Sequence, residues 1–193
     1  MGAADQGHQY DRRQKCKQIR PDETQKPMSL AVLVALRPAS AMRADARPLR
    51  AALISSVVLF AVGGVIGIFI SGNNVKIPAH YHGSIVGVTL ALMGLVYHLL
   101  PQLGYAAPVG RLATWQPIVY GAGQLMHITG LVWSGGYGVQ RKVGGAEQVL
   151  RSGGEIAGMG LMGLGGLVAI IGGLLFVIVV IRAVRDGKRA SGR

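Results

Sequence analysis

The sequence predicts an all-α integral membrane protein with four transmembrane helices. Half of the 193 residues are hydrophobic and only 15% are charged, whereas soluble chains carry roughly 25% charged residues. Four apolar windows are each long enough to cross a bilayer as a helix, which takes about 20 residues. Together these observations exclude an ordinary soluble domain.

The four predicted spans are separated by short connections rich in turn-forming residues. We place the spans at residues 51–72, 79–100, 112–136 and 154–181. An even number of spans puts both ends of this region on the same side of the membrane. The chain then divides into a basic, disordered N-terminal extension (1–50), a membrane region (51–185) and a basic C-terminal tail (186–193).

The distribution of charge predicts the orientation of the chain. The formal net charge is +12, but ten of the 20 Lys and Arg residues lie in residues 1–50 and five more follow residue 181. Basic residues beside apolar spans indicate cytoplasmic flanks and contact with anionic lipid, not nucleic-acid binding. We therefore expect a bacterial inner-membrane protein with both termini in the cytoplasm.

One connection carries positive charge on the side where the orientation rule disfavours it. The third connection, which faces outward in this topology, contains Arg141, Lys142 and Arg151, whereas the inward second connection ends at the single Arg111. Cations in that position are explained by a nearby anionic group. The alternative is that the terminal charges already fix the orientation and the loop cations have no further role.

Histidine is the residue type on which any metal chemistry must rest, because the single Cys16 allows neither a disulfide within the chain nor a thiolate cluster. His80 and His82 open the second predicted span, and an ionisable residue inside a membrane indicates function. Side chains two positions apart on a helix point roughly 200° apart, so these imidazoles serve two different centres. Neutral imidazole is a good axial ligand for haem iron. The alternative is a pair of interface histidines bonded to carbonyl groups or water.

Two further histidines have other predicted roles. His98 lies about 27 Å along the helix from His80 at 1.5 Å per residue, near the opposite membrane surface, where we expect an interfacial residue. His127 lies in the middle of the third span, and we expect it to bond a neighbouring helix.

Glycines four residues apart line the first two spans. Such small residues let either a helix backbone or a flat ring approach closely. The residues concerned are Gly63, Gly67, Gly83 and Gly87.

The order of these motifs resembles the catalytic subunit I of haem–copper terminal oxidases, the cytochrome c oxidase type, in its helices nine to twelve. The resemblance covers roughly residues 51–185. It is carried by Val62-Gly63-Gly64 in the first span, Ala79-His80-Tyr81-His82 at the start of the second, Met126-His127-Ile128-Thr129-Gly130-Leu131 in the third, and the basic pair Arg141-Lys142. It implies that the four spans form part of a twelve-helix bundle.

The resemblance also implies ligands for two haems. His80 matches the axial ligand of the high-spin haem in the oxygen-reducing centre, and His82 matches one axial ligand of the low-spin haem. Arg141 and Lys142 match the pair of arginines that binds the haem propionates in that family. Lys142 departs from the family pattern, since lysine lacks the planar fork for bidentate carboxylate binding.

The same resemblance implies that the chain is catalytically incomplete alone. The copper ligands and the second low-spin haem ligand belong to earlier helices, so copper is expected in the complete subunit but is not bound by these residues. The implied partners are the remaining subunit I helices, other oxidase subunits, membrane lipid, and cytochrome c or quinol as electron donor. The implied function is electron transfer to oxygen, which is reduced to water with coupled proton translocation in the respiratory chain.

Two other functions are compatible with the sequence. One is a truncated or helper membrane protein that binds no haem and uses only the glycine faces. The other is a small di-haem electron-transfer protein in which His127 or a second copy of the chain supplies the missing ligands.

Overall fold

Four α-helices follow one another in the computed structural model, and all lie within one unit of the chain, residues 39–193. The structure describes residue 44, residues 46–140 and residues 152–191, with side chains as far as residue 187. The helices are α1 (Ala46–Ile68), α2 (Lys76–Gln102), α3 (Arg111–Gly136) and α4 (Gly153–Ser191). The predicted all-α class is confirmed over these residues.

Three of the helices are long and apolar enough to cross a membrane, namely α1, α2 and the Gly153–Gly187 part of α4. Helix α3 has the necessary length but is not among them. The difference is one of hydropathy, because α3 carries more polar residues, and it buries Gln116 and Ser134 where it contacts the other helices. Polar residues on α3 thus face protein instead of lipid. That all four helices cross the membrane stays a prediction.

The predicted bounds of α2 and α3 hold to within three residues, but both ends of α1 and the end of α4 lie further from their predicted positions. Helix α1 begins at Ala46, five residues before the predicted span, and ends at Ile68, four residues before the predicted end. Pro48 is compatible with this start because a first-turn proline loses no helical hydrogen bond. Residues 1–43 lie outside the described part of the chain.

Helix α4 continues through the predicted basic tail as far as Ser191. Residues 186–191 of the predicted tail are therefore helical. Arg182 and Arg185 lie in α4 before the predicted tail.

Close contact between α1 and α2 depends on glycine. A Cβ atom at Gly83 would lie 2.7 Å from Cα of Gly63, and one at Gly87 would lie 2.8 Å from the backbone nitrogen of Phe60. Helix backbones, and not a flat ring, therefore fill the space beside these two glycines. Ser56 adds a buried hydrogen bond across the same contact by donating to the carbonyl of Gly87 at 2.7 Å.

The two ends of the helix bundle differ in composition. The end formed by the starts of α1 and α3 and the ends of α2 and α4 is here called the basic end, since its described side chains include Arg47, Arg50, Arg111, Arg182 and Arg185. The opposite end is called the histidine end. There Asn74 pairs with Gln140, and the Val75 amide donates to the Val139 carbonyl at 3.2 Å.

A buried polar network joins α2, α3 and α4. The hydroxyl of Tyr97 donates to Oε1 of Gln116 at 2.9 Å, and Nε2 of Gln116 donates to the carbonyl of Gly172 at 3.1 Å. Gln116 has no exposed surface. Because both ends of its amide group are bonded, the side chain is satisfied in an apolar interior.

Replacement of Gln116 by leucine is expected to destabilise the bundle by about 1–3 kcal/mol, because the buried Tyr97 hydroxyl loses its acceptor. The measurement is the free energy of unfolding in mixed detergent, followed by circular dichroism. Gln102→Leu is the matched control, since Gln102 is exposed at the end of α2. Equal effects of the two substitutions would show that the network does not stabilise the fold.

Candidate histidine site

Three histidines lie at similar depth near the histidine end of the bundle. His80 and His82 lie in the second turn of α2, and His127 lies nine residues before the end of α3. At 1.5 Å per residue, His82 and His127 are about 9 and 14 Å from the ends of their helices. The antiparallel order of α2 and α3 thus brings residues 45 positions apart into one layer.

His80 faces α1. Its Nδ1 atom lies 2.7 Å from the carbonyl oxygen of Gly63. A Cβ atom at Gly67 would lie 2.7 Å from the same nitrogen and 2.8 Å from Cε1 of the ring. The half-buried imidazole therefore packs directly on α1, and the glycine at position 67 makes room for it.

His82 faces α3, on a different side of α2 from His80. Its Nδ1 atom lies 3.0 Å from the carbonyl oxygen of Pro78, one turn earlier in the same helix. The ring contacts that of His127, with 5.2 Å between the ring centroids and a tilt of 37°. The two histidines of α2 thus meet different partner helices, as their spacing on a helix requires.

His127 bonds a neighbouring helix, so the expectation from the sequence is confirmed. Its Nδ1 atom lies 3.0 Å from the carbonyl oxygen of Met162 in α4. Gly165 and Gly166 of α4 pack beside the residue, and a Cβ atom at Gly166 would lie 3.5 Å from Nδ1. His127 therefore connects α4 to the layer that contains His82.

All three imidazoles are held in the same tautomer when they are neutral. A carbonyl oxygen can only accept a hydrogen bond, so Nδ1 of each ring carries the proton and donates it. The Nε2 atom of each ring then has a free lone pair. No described residue donates a hydrogen bond to Nε2 of His80, His82 or His127.

This tautomer is the one that suits a metal ligand. Ligating histidines commonly donate their second ring N–H to a backbone carbonyl or a carboxylate, which fixes the ring and raises the basicity of the ligating nitrogen. The residues therefore fit the role of axial ligands to haem iron. One pairing does not fit, because the rings of His82 and His127 are already at the contact distance of aromatic pairs, about 4.5–7 Å. A single macrocycle does not lie between them in this arrangement.

The remaining predicted site residues, Arg141 and Lys142, lie outside the described residues. The structure does place their neighbour Gln140, which pairs with Asn74 two residues before the start of α2. His98 lies at the basic end, where the exposed ring accepts a hydrogen bond at Nε2 from Gln102 at 2.8 Å. Within the described ranges no group of three or more potential metal ligands converges.

The contact between His82 and His127 and the acceptor role of Met162 could not be predicted from the sequence. Helical periodicity shows which residues share a face of one helix, but it does not show which helices become neighbours. One sequence feature was consistent with the contact. His127 lies at mid-span in a helix that runs opposite to α2.

The chain is similar to two longer proteins. An uncharacterized protein of Rickettsia prowazekii (strain Madrid E) is 39% identical over a region that covers 66% of this chain and 26% of that relative. An uncharacterized protein of Aquifex aeolicus (strain VF5) is 32% identical over 35% of this chain and 18% of that relative. The chain thus spans about a quarter or less of their lengths. No protein-family model matches the chain. No solved structure matches it either.

Proposed function

We propose that this chain is the C-terminal, haem-binding membrane segment of a terminal oxidase of the haem–copper type. The observation that carries the proposal is the state of the histidine layer, in which each Nδ1 donates to a backbone carbonyl and no described residue donates to Nε2. His80 would hold the iron of one haem, and His82 the iron of a second. When bound, the haems supply one-electron transfer and an oxygen-binding iron.

The protein side of that chemistry is orientation. Gly63 fixes the His80 ring, and Pro78 fixes the His82 ring, so neither imidazole loses much freedom when it binds a metal. Because the rings meet different helices, the two irons would lie on different sides of α2. The orientation with both termini in the cytoplasm, the donor and the partner subunits belong to the same proposal.

Arg141 and Lys142 are proposed to offset the charge of the haem propionates. Support comes from the adjacent residue Gln140, which pairs beside the start of α2 at the histidine end. Gln140 therefore lies at the end of the bundle where His80 and His82 lie. A cation near a propionate favours the reduced iron, since it offsets the charge of the added electron.

A non-haem function is the second candidate, and one observation favours it. The bonds from His80 to Gly63 and from His127 to Met162 each cross between two helices. These side chains therefore contribute to helix packing even without a cofactor, as a helper protein would need.

Haem content distinguishes the two candidates. The full chain is purified from the membranes of a haem-supplied host, and its haem is measured as the pyridine haemochrome. We expect the unmodified chain to retain haem and the His80→Ala/His82→Ala variant to fall to background. His98→Ala is the matched control, because it removes an exposed imidazole at the basic end.

The proposal fails if the unmodified chain carries no haem or if the double variant carries as much as the control. Retention of the helical circular-dichroism spectrum in the double variant separates loss of ligation from loss of fold. Oxygen consumption is not expected from the chain alone, because the copper ligands are not among its proposed site residues.

A further inference from the structure

A cavity of about 270 Å³ opens at the basic end, between the first turns of α1 and α3. Arg47 of α1 and Arg111 of α3 line it, together with Thr114 and Trp115. Arginines from two different helices thus line one cavity. This cavity lies at the opposite end of the bundle from the histidine layer.

The cavity is electrostatically suited to an anion. The first turns of α1 and α3 contain no acidic residue, and neither Arg47 nor Arg111 has an ion pair with a described carboxylate. The first-turn amides of a helix carry partial positive charge, and here they add to the charge of the arginines. Thr114 is uncharged, and its hydroxyl donates to the carbonyl of Gly110 at 3.0 Å.

The backbone at the entrance depends on glycine. Gly110 precedes α3 with φ of +92°, a conformation that other residues rarely adopt. Its carbonyl accepts hydrogen bonds from both the amide and the hydroxyl of Thr114. These bonds fix the first turn of α3 beside the cavity.

The surface beside the cavity changes from cationic to apolar along both helices. Ile54 lies seven residues after Arg47, and Ile118 lies seven residues after Arg111. Seven residues are close to two turns, so each isoleucine shares the helix face of its arginine. Both isoleucines are exposed, at 39% and 37%, and Trp115 is 57% exposed. A ligand with an anionic head and an apolar chain matches this change from a cationic to an apolar surface.

We propose that the cavity binds the phosphate headgroup of an anionic phospholipid, with an acyl chain along the apolar faces of α1 and α3. Arginine guanidinium groups bind phosphate oxygens in a bidentate manner. Basic pockets between transmembrane helices are suited to such headgroups. Tryptophan is favoured at headgroup level, which is where this proposal puts Trp115.

The test uses Trp115 as a local reporter in the full chain. The chain contains two tryptophans, so Trp133→Phe leaves Trp115 as the single one. The protein is placed in vesicles of phosphatidylcholine that contain a minority of phosphatidylglycerol, with brominated acyl chains on one lipid or the other. Brominated phosphatidylglycerol is expected to quench Trp115 more strongly than its mole fraction predicts, whereas brominated phosphatidylcholine is not.

The decisive variant is Arg47→Gln/Arg111→Gln. We expect the preference for phosphatidylglycerol to fall about fivefold for each arginine removed, which corresponds to the attraction of one basic residue at an anionic surface. The matched control, Arg182→Gln/Arg185→Gln, removes the same charge from the same end of the bundle. It is expected to keep the preference.

Three outcomes would overturn the proposal. Equal quenching by the two brominated lipids would show that the cavity does not select an anionic lipid. Equal loss in the two double variants would show diffuse attraction to the whole basic end. Loss of the preference on addition of inorganic phosphate, at constant ionic strength, would assign the cavity to a free anion instead.

Discussion

His82→Ala is expected to abolish the spectrum of the low-spin haem and to leave that of the high-spin haem, in an assembly that contains the remaining subunit helices. His80→Ala is expected to do the reverse. The reason is that the two rings meet different helices, with His80 bonded to Gly63 of α1 and His82 in contact with His127 of α3. Each substitution would therefore remove one proposed axial ligand without reaching the other ring. Optical and paramagnetic resonance spectra of the reduced and oxidised assembly measure both effects.

Two controls separate ligation from packing in this experiment. His98→Ala should leave both spectra unchanged, since that ring lies at the basic end. Imidazole added in solution should restore the missing spectrum in each alanine variant, because it fills the space of the deleted side chain and supplies the same nitrogen. A spectrum that neither substitution changes would refute the ligand assignment. A loss that imidazole does not repair would assign the histidine to helix packing.

The prediction of α2 and α3 from the sequence succeeded because turn chemistry borders both apolar windows. Asn74 precedes α2, where its side-chain oxygen accepts a hydrogen bond from the Lys76 amide at 2.9 Å. Gly110 precedes α3 with a positive φ. Hydropathy and local turn residues there indicate the same boundary.

The start of α1 and the end of α4 were missed because hydropathy detects the membrane core and not the helix. Backbone hydrogen bonds continue past the apolar window when no residue interrupts them, and Arg50 and Arg185 both lie within helices. The sequence also could not show that α3 packs against all three other helices. That position explains why Gln116 is buried in a helix of low apolar content.

Two residues of the predicted site, His80 and His82, can be compared with the structure in their geometry. Helix geometry was enough to predict that His80 and His82 point apart, since this depends only on residues within one helix. The partners of these rings depend on the arrangement of helices, which no periodicity in the sequence reports. The glycine pattern likewise predicted close approach at Gly83 and Gly87, but it could not distinguish a helix from a flat ring.

Gly165→Leu is expected to separate α4 from α3. A Cβ atom at Gly165 would meet the backbone nitrogen of His127 and would lie 2.7 Å from the carbonyl oxygen of Gly123. Backbone atoms cannot rotate away as a side chain can, so the helices must move apart. Overpacking of this kind typically costs about 1–3 kcal/mol, and more is expected here because α4 packs mainly on α3.

The matched control is Gly163→Leu, two residues earlier in α4, because a Cβ atom at Gly163 meets nothing within 4 Å. Spin labels at Ala122 and Ile170, both exposed, report the separation of the two helices in a Cys16→Ser background. The Gly165 variant should lengthen this distance and lower the free energy of unfolding, whereas the Gly163 variant should change neither. Because His127 bonds Met162 across the same contact at 3.0 Å, the Gly165 variant should also release the ring that contacts His82. Unchanged distances in both variants would contradict the close α3–α4 packing on which the histidine layer depends.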